Sequence, residues 1–223
     1  EGVEGPVREL IARAPRLAEP WYYRGRMLRA EGHEEEAERA QDEAVERASA
    51  ADATPGSRAI HRLALYERGV LRAARYPREL AAARQEMVRS RAAGQDLFSP
   101  PPSLPGTEEV EATHPEVVEI KRNALMDLRA VVDDAPREVD ARVEVARGIV
   151  IVLTGGAEED AQAHFERALA HDGYMQEAYT ALAILALQRG AWEEAASWYA
   201  KGNEADVGYV PHLIGSAVAL VSA

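Results

Sequence analysis

Cysteine is absent from this chain of 223 residues. Disulfide bonds, thiolate metal sites and cysteine nucleophiles are therefore excluded. Aromatic residues make up only 6% of the chain, and the net charge is −12. Both features argue against a nucleic-acid-binding protein, which needs basic residues for the phosphates and aromatic rings for the bases. No apolar run approaches the roughly 20 residues that cross a bilayer, so no membrane span is expected.

Catalytic motifs are also missing. The pair Gly155-Gly156 is not followed by Lys and Ser or Thr, and so indicates a turn rather than a phosphate-binding loop. The six histidines form no HExxH motif. His33 stands beside Glu34–Glu36, but successive residues on a helix do not face one another, which is poor geometry for a metal. We therefore expect no catalysis, no metal and no cofactor. The alternative, a helical-repeat enzyme or ligand-binding domain, would need a deep pocket with converging polar groups.

The chain opens with Glu-Gly-Val-Glu-Gly instead of methionine. A removed export signal and a shortened chain both explain this beginning. The compartment stays open, with an exported or periplasmic location favoured over the cytoplasm.

What the chain does contain is an internal repeat. Gly190 begins the sequence GAWEEA, and the related sequences GAEEDA and GHEEEA begin at Gly156 and Gly32. In each copy a glycine is followed by two or more acids and, five residues on, by an alanine. Glycine ends a helix because it tolerates positive φ. The acids favour the positive N-terminal end of the next helix, and the small alanine lets two helices pack closely.

These copies resemble the tetratricopeptide repeat, which is about 34 residues long. In the last copy the packing positions of that family are held by Tyr179, Leu182, Ala183, Gly190, Ala195, Tyr199 and Gly202. In the first copy they are held by Trp21, Gly25, Leu28, Gly32, Ala37 and Ala44. The resemblance covers residues 15–50 and 142–209 and is weak between them. It implies an all-α fold: an α-solenoid of antiparallel helical hairpins wound as a right-handed superhelix.

Three regions follow from this interpretation. Residues 1–93 are expected to form N-terminal repeats, with a second hairpin from helices 57–75 and 77–93 that turns at Tyr76-Pro77. Residues 94–113 contain four prolines between positions 100 and 105 and are expected to be a connecting loop. Residues 114–223 are expected to form C-terminal repeats. In this region 138–154 is assigned to a helix despite its β-branched run, and an apolar helix at 210–222 comes last.

Two features remain open to two interpretations. The proline-rich loop either only connects the two halves or binds a partner as a polyproline segment. Residues 58–91 hold nine Arg against three Glu, and 107–119 hold five Glu. Either these are ordinary solvated helix faces, or an acidic segment or acidic partner lies across the arginines.

The resemblance also implies a function. In tetratricopeptide proteins the first helix of each pair lines a concave groove. That groove would present Tyr22, Arg26 and Arg29 at one end and Thr180, Ile184 and Leu187 at the other. Leu213 and Ile214 of the uncharged last helix would be a second contact. We therefore predict a protein-interaction module: an adaptor, or an accessory subunit of a multi-subunit complex, whose partner is another protein or a peptide segment. Tyr22 and Arg26 occupy two positions of the family's clamp for chaperone tails, so that narrower function is not supported.

Overall fold

The computed structural model describes residues 4–49, 55–93, 102–135 and 140–206. Within these ranges every regular element is an α-helix. In chain order they are α1 (Glu4–Arg13), α2 (Glu19–Ala30), α3 (Glu34–Ala48), α4 (Pro55–Ala93), α5 (Thr107–Thr113), α6 (Pro115–Asp133), α7 (Ala141–Thr154), α8 (Glu158–His171), α9 (Gln176–Gln188) and α10 (Trp192–Ala205). The helix predicted at 210–222, with Leu213 and Ile214, lies outside the described residues.

Three of the helical hairpins close in the same way. The turns α2–α3, α7–α8 and α9–α10 contain Gly32, Gly155 and Gly190, whose φ angles are +83°, +71° and +74°. In each turn the amide after the glycine donates to a carbonyl five residues back, at distances of 2.8, 2.9 and 2.9 Å. This is the Schellman closure that glycine makes possible. In the middle copy the left-handed residue is Gly155, one position before the glycine at which the repeated sequence begins.

The β-branched run of α7 is helical, as predicted. Asp140 caps its start by accepting a hydrogen bond from the amide of Arg142 at 2.9 Å, and Gly155 ends it. Between the caps, Val143, Val145 and Ala146 are buried. Packing of the helix on several sides outweighs the preference of valine and isoleucine for strands.

The predicted hairpin at 57–75 and 77–93 is wrong. Residues 55–93 form the single helix α4, with Pro77 in its interior. The glycine that closes the other three hairpins is missing after Tyr76. Tyr76 instead packs with Val110 and Val117 in a core that the second half of α4 shares with α5 and α6. This packing keeps the helix continuous through the proline.

The true partner of α4 is α6. A Cβ atom added to Gly69 of α4 would lie 2.8 Å from the side chain of Leu128. The same close contact joins Gly25 to Gln41 in the pair α2–α3 and Gly148 to Phe165 in the pair α7–α8. In those two pairs the contacting residues are sixteen and seventeen positions apart in the sequence. Between Gly69 and Leu128 the separation is 59 residues, so about forty extra residues stand between the two helices of this pair.

We call residues 77–93 and 102–114 the inserted lobe. The expectation of a loop over 94–113 is wrong for residues 107–113, which form α5. Arg84 and Arg91 of α4 hold the segment before α5, since they donate to the carbonyls of Pro105 and Ser103 at 3.0 and 3.2 Å. The described part of the proline-rich segment is therefore packed on α4 and is not a free linker.

Pro77 gives a direct test of the continuous helix. Proline lacks the amide that would bond the carbonyl of Ala73, and its ring crowds that carbonyl. Replacing the exposed Pro77 with alanine is expected to raise the free energy of unfolding by about 1–3 kcal/mol, measured by urea denaturation. Pro115→Ala is the control: Pro115 stands in the first turn of α6, where proline is favourable, so no gain is expected. A loss of stability in Pro77→Ala would indicate a turn at Tyr76-Pro77.

Candidate functional site

The first helices of the four pairs form one layer of the molecule. Helix α2 contacts α4, α4 contacts α7, and α7 contacts α9. Their partners α3, α6, α8 and α10 form the second layer. We call the surface of the first layer the inner face. It is curved inward, because Arg29 of α2 reaches Glu177 of α9 although two pairs separate these helices in the array.

An ion-pair cluster fills the N-terminal half of the inner face. Arg29 Nη1 lies 2.6 Å from Glu67 Oε2 and 2.9 Å from Glu177 Oε1. The side chain of Glu67 is only 7% exposed, and Arg26 Nε lies 3.4 Å from its other oxygen. We call this group the Arg29 bridge. It joins α2, α4 and α9, so this half of the inner face is closed by the chain itself.

Tyr22 is not available as a contact residue. Its side chain is buried and packs with Ala44 and Ala64. Burial raises the pKa of Tyr22, and the Glu67 carboxylate raises it further. The Arg26 guanidinium lies 5.9 Å from the centre of the tyrosine ring. Of the three N-terminal groove residues, Arg26 alone presents a largely exposed side chain.

The C-terminal half of the inner face is apolar. Ile184 is 43% exposed and Val152 is 39% exposed. Leu187 and Val152 each stand three residues before a left-handed glycine, at the position that Arg29 holds in the first pair. The same repeat position is thus ionic at one end and apolar at the other. Thr180 turns its hydroxyl to the carbonyl of Gln176 at 2.9 Å.

The arginine band is mostly internal. Asp127 of α6 is 1% exposed and accepts two hydrogen bonds from Arg68, at 2.8 and 2.6 Å, and one from Arg72 at 2.7 Å. Arg68 and Arg72 also contact Asp42 of α3, at 2.8 and 3.3 Å. Arg72 also pairs with Glu38 of α3. Two further arginines of α4 extend this row along α3, through the pairs Arg75–Glu38 and Arg78–Glu34. We call this row of ion pairs the ionic ladder.

This ionic ladder changes the interpretation of the arginine band. Arg68 and Arg72 are poorly exposed and paired, so this part of the band is not a solvated face, whereas Arg78 at its end is exposed. The acids come mainly from α3 and Asp127, not from the acidic segment 107–119. The second half of α4 does contact that segment: Arg91 pairs with Glu109, Arg84 contacts Thr107, and Tyr76 donates a hydrogen bond to Glu111 at 2.7 Å. The sequence could have indicated the ladder through Glu34, Glu38 and Asp42, which recur every four residues and share one face of α3.

The comparisons with known proteins bear on the C-terminal half. Residues 153–213 match the family model described as "Tetratricopeptide repeat". This segment is similar to tetratricopeptide repeats. It includes α8, α9 and α10, and therefore Ile184 and Leu187. No curated protein matches the chain.

One similar solved structure is that of YrrB, described as "a TPR protein with an unusual peptide-binding site". It is 16% identical, covers 96% of this chain and 82% of its own, and has a TM-score of 0.40. The repeat segment and the paired helices together define an all-α helical-repeat solenoid. Tetratricopeptide arrays are protein-interaction modules that use an extended inner surface.

The described residues contain no group of three or more histidines and acids that could hold a metal ion. None of the described helices combines the length and apolarity that a bilayer crossing requires.

Proposed function

We propose that this protein is an adaptor or accessory subunit of a larger assembly, and that it binds a protein or peptide partner through the C-terminal half of its inner face. The exposed Ile184 is the observation that carries the proposal. An apolar side chain of this size, open to water on the inner face of a tetratricopeptide repeat, is suited to be covered by a partner. Val152 and Leu187 extend the same apolar surface.

The Arg29 bridge favours the C-terminal half of the inner face, and not the N-terminal half, as the binding surface. A partner at the N-terminal end would have to displace Arg29 from two carboxylates that are themselves poorly exposed. Leaving such carboxylates unpaired costs several kcal/mol. Arg26 remains the accessible charge beside the bridge, with its side chain 51% exposed, and we propose that it contacts an acidic group of the partner. Leu213 and Ile214 are kept as a proposed second contact.

The test uses Ile184→Asp against Met126→Asp. Met126 is also an exposed apolar residue, but it lies on α6 in the second layer. A phage library of random dodecapeptides is selected on the wild-type protein. We expect the selected peptides to bind wild type and Met126→Asp equally, and to bind Ile184→Asp at least about tenfold more weakly, because a buried charge opposes apolar contact.

Equal binding by both variants would contradict the inner-face proposal. Arg26→Gln tests the accessible charge without placing a new carboxylate beside Glu67, and weaker binding is expected if the peptide carries an acid there. Arg29→Glu is the poorer choice, since it would also place a third carboxylate beside Glu67 and Glu177. A chain ending at residue 210 tests Leu213 and Ile214: unchanged affinity would remove the second contact.

A further inference from the structure

The ionic ladder has a counterpart in the next pair of the array, and the acids of the ladder are missing from that counterpart. In the ladder, Arg68 stands directly before the glycine of α4 that contacts α6, and it lies between two acids. Asp127 directly precedes Leu128, the contact residue of α6. Asp42 directly follows Gln41, the contact residue of α3. The ladder therefore places an acid on each side of its central arginine.

In the pair α7–α8 the same three positions carry basic side chains. Arg147 stands directly before the contact glycine of α7, and His164 stands directly before the contact phenylalanine of α8. On α6, the residue after the contact leucine is Arg129, where α3 has Asp42. Helix α7 packs against both α6 and α8, so the repeat brings these three positions to one surface.

One carboxylate from α7 lies at this surface. Glu144 Oε2 lies 2.9 Å from Arg167 Nε and 2.8 Å from His164 Nδ1. Oε1 of the same carboxylate pairs with Arg147, and the glutamate side chain is only 7% exposed. Burial raises the pKa of Glu144, but its hydrogen bonds to α8 and the charge of Arg147 outweigh burial and lower that pKa. Glu144 therefore contributes one negative charge.

We call Arg129, Arg147, His164 and Arg167 the basic surface. Three guanidinium groups stand here against the single carboxylate of Glu144, even when the imidazole is neutral. The side chains of Arg147 and Arg167 are 40% and 51% exposed, and Arg129 is exposed as well. Among the ion pairs between described residues, none involves Arg129. The basic surface thus has an excess of accessible cations.

Further acids along these helices do not neutralise the basic surface. Asp133 lies one turn beyond Arg129, and Asp160 lies one turn before His164. Both acids are exposed, and within the described ranges neither forms an ion pair with the basic surface. Water and salt screen such exposed charges. The local excess of cations is unusual in this chain, whose net charge is −12.

We propose that the basic surface binds an acidic segment of a partner protein through aspartate and glutamate carboxylates. These carboxylates take the places that Asp42 and Asp127 hold in the ionic ladder. The planar fork of arginine binds a carboxylate in two-point geometry, and a charge-assisted hydrogen bond is stronger than a neutral one. The basic surface belongs mainly to the second layer, so it is separate from the apolar inner face that carries Ile184.

Isothermal titration calorimetry of the whole protein tests this proposal. The probe is acetyl-Gly-Asp-Glu-Asp-Glu-Gly-amide, titrated at about 0.05 M ionic strength, where exposed charges are weakly screened. Saturable binding is expected, whereas acetyl-Gly-Asn-Gln-Asn-Gln-Gly-amide, which has the same length and no charge, is expected not to bind. Arg129→Gln is expected to weaken binding of the acidic peptide at least about threefold, and Arg129→Gln combined with Arg167→Gln at least about tenfold.

Arg122→Gln is the matched control, because it removes the same charge from an exposed position two turns earlier on α6. Its affinity for the acidic peptide is expected to stay within about twofold of wild type. All these variants keep the pair Glu144–Arg147, and circular dichroism shows that each is folded.

Four results would overturn the proposal. The first is no binding of the acidic peptide, and the second is equal binding of the amide peptide. The third is equal weakening by Arg122→Gln and Arg129→Gln, which would show an effect of net charge alone. The fourth is a dimer in sedimentation that Arg129→Gln abolishes, since the occupant would then be a second copy of this chain. Competition by inorganic phosphate at the concentration of the peptide would likewise show an anion site without preference for carboxylates and contradict the proposal.

Discussion

Asp127→Ala is expected to lower the free energy of unfolding by about 3–5 kcal/mol, one of the two largest effects we predict for a single substitution. Its carboxylate is 1% exposed and holds two guanidinium groups whose side chains are each 11% exposed. Burial alone would lower the pKa of Arg68, but the Asp127 and Asp42 carboxylates outweigh it and raise that pKa. Removing Asp127 leaves both cations charged and short of acceptors in the interface of α3, α4 and α6.

Urea denaturation followed by circular dichroism measures this loss. Asp133→Ala is the matched control, because Asp133 lies outside the ladder on the same helix, and its replacement is expected to change stability by no more than about 0.5 kcal/mol. If the two variants had equal midpoints, the ionic ladder would not contribute to the stability of the α4–α6 pair. An unchanged denaturant slope would show that the loss occurs in the folded state.

Phe165→Ala is expected to cost about 3–5 kcal/mol through a different mechanism, the opening of a cavity. Phe165 of α8 is 1% exposed and lies in the main core with residues of α4, α6, α7 and α9. Its ring fills the space left by the missing side chain of Gly148, where an added Cβ would lie 2.5 Å from the ring. Such close contact leaves little room for the surroundings to collapse onto an alanine.

Tyr174→Ala is the control for this second prediction. Tyr174 is an aromatic residue that is 75% exposed, and its truncation is expected to change stability by no more than about 0.5 kcal/mol. The two variants are compared by thermal and urea unfolding under the same conditions. A loss below about 1 kcal/mol for Phe165→Ala would mean that the α7–α8 pair is not packed around this ring.

The two predictions concern different parts of the array. Asp127 stabilises the α4–α6 pair, whose helices are separated by the inserted lobe. Phe165 stabilises an ordinary pair within the array that also presents the apolar inner face. Loss at either position is expected to disturb partner binding indirectly, which is why the functional test uses Ile184 on the surface and not a core residue.

The inner-face residues show which parts of the candidate site could be predicted from the sequence alone. The repeat register placed Arg26, Arg29, Ile184 and Leu187 on the first helices of their pairs. It did not show that Tyr22 is buried, or that Arg29 is occupied by Glu67 and Glu177. Glu67 gave no signal in the sequence, because a single glutamate in an amphipathic helix looks like a solvated residue. Its role depends on a cation from another helix.

The three glycine-led repeat copies are the part of the fold that local sequence determined. Gly32, Gly155 and Gly190 ended helices because only glycine adopts their positive φ freely, and acids after them began the next helices. Those are interactions within one turn of chain. The helical state of α7 was predicted from the repeat register, against the local strand preference of its valines and isoleucines, and the structure confirms it.

Only the tertiary structure decided the middle of the chain. Pro77 suggested a turn, but α4 continued because its second half is buried against α5 and α6. The helix that pairs with α4 comes about forty residues later than in the other pairs, and nothing local specifies that distance. The arginines became a ladder for the same reason: their acids lie on α3 and α6, and contacts of such long sequence separation form only when the helices pack. Local rules therefore determined where the regular helices begin and end, and packing between distant segments determined which surfaces remain open to a partner.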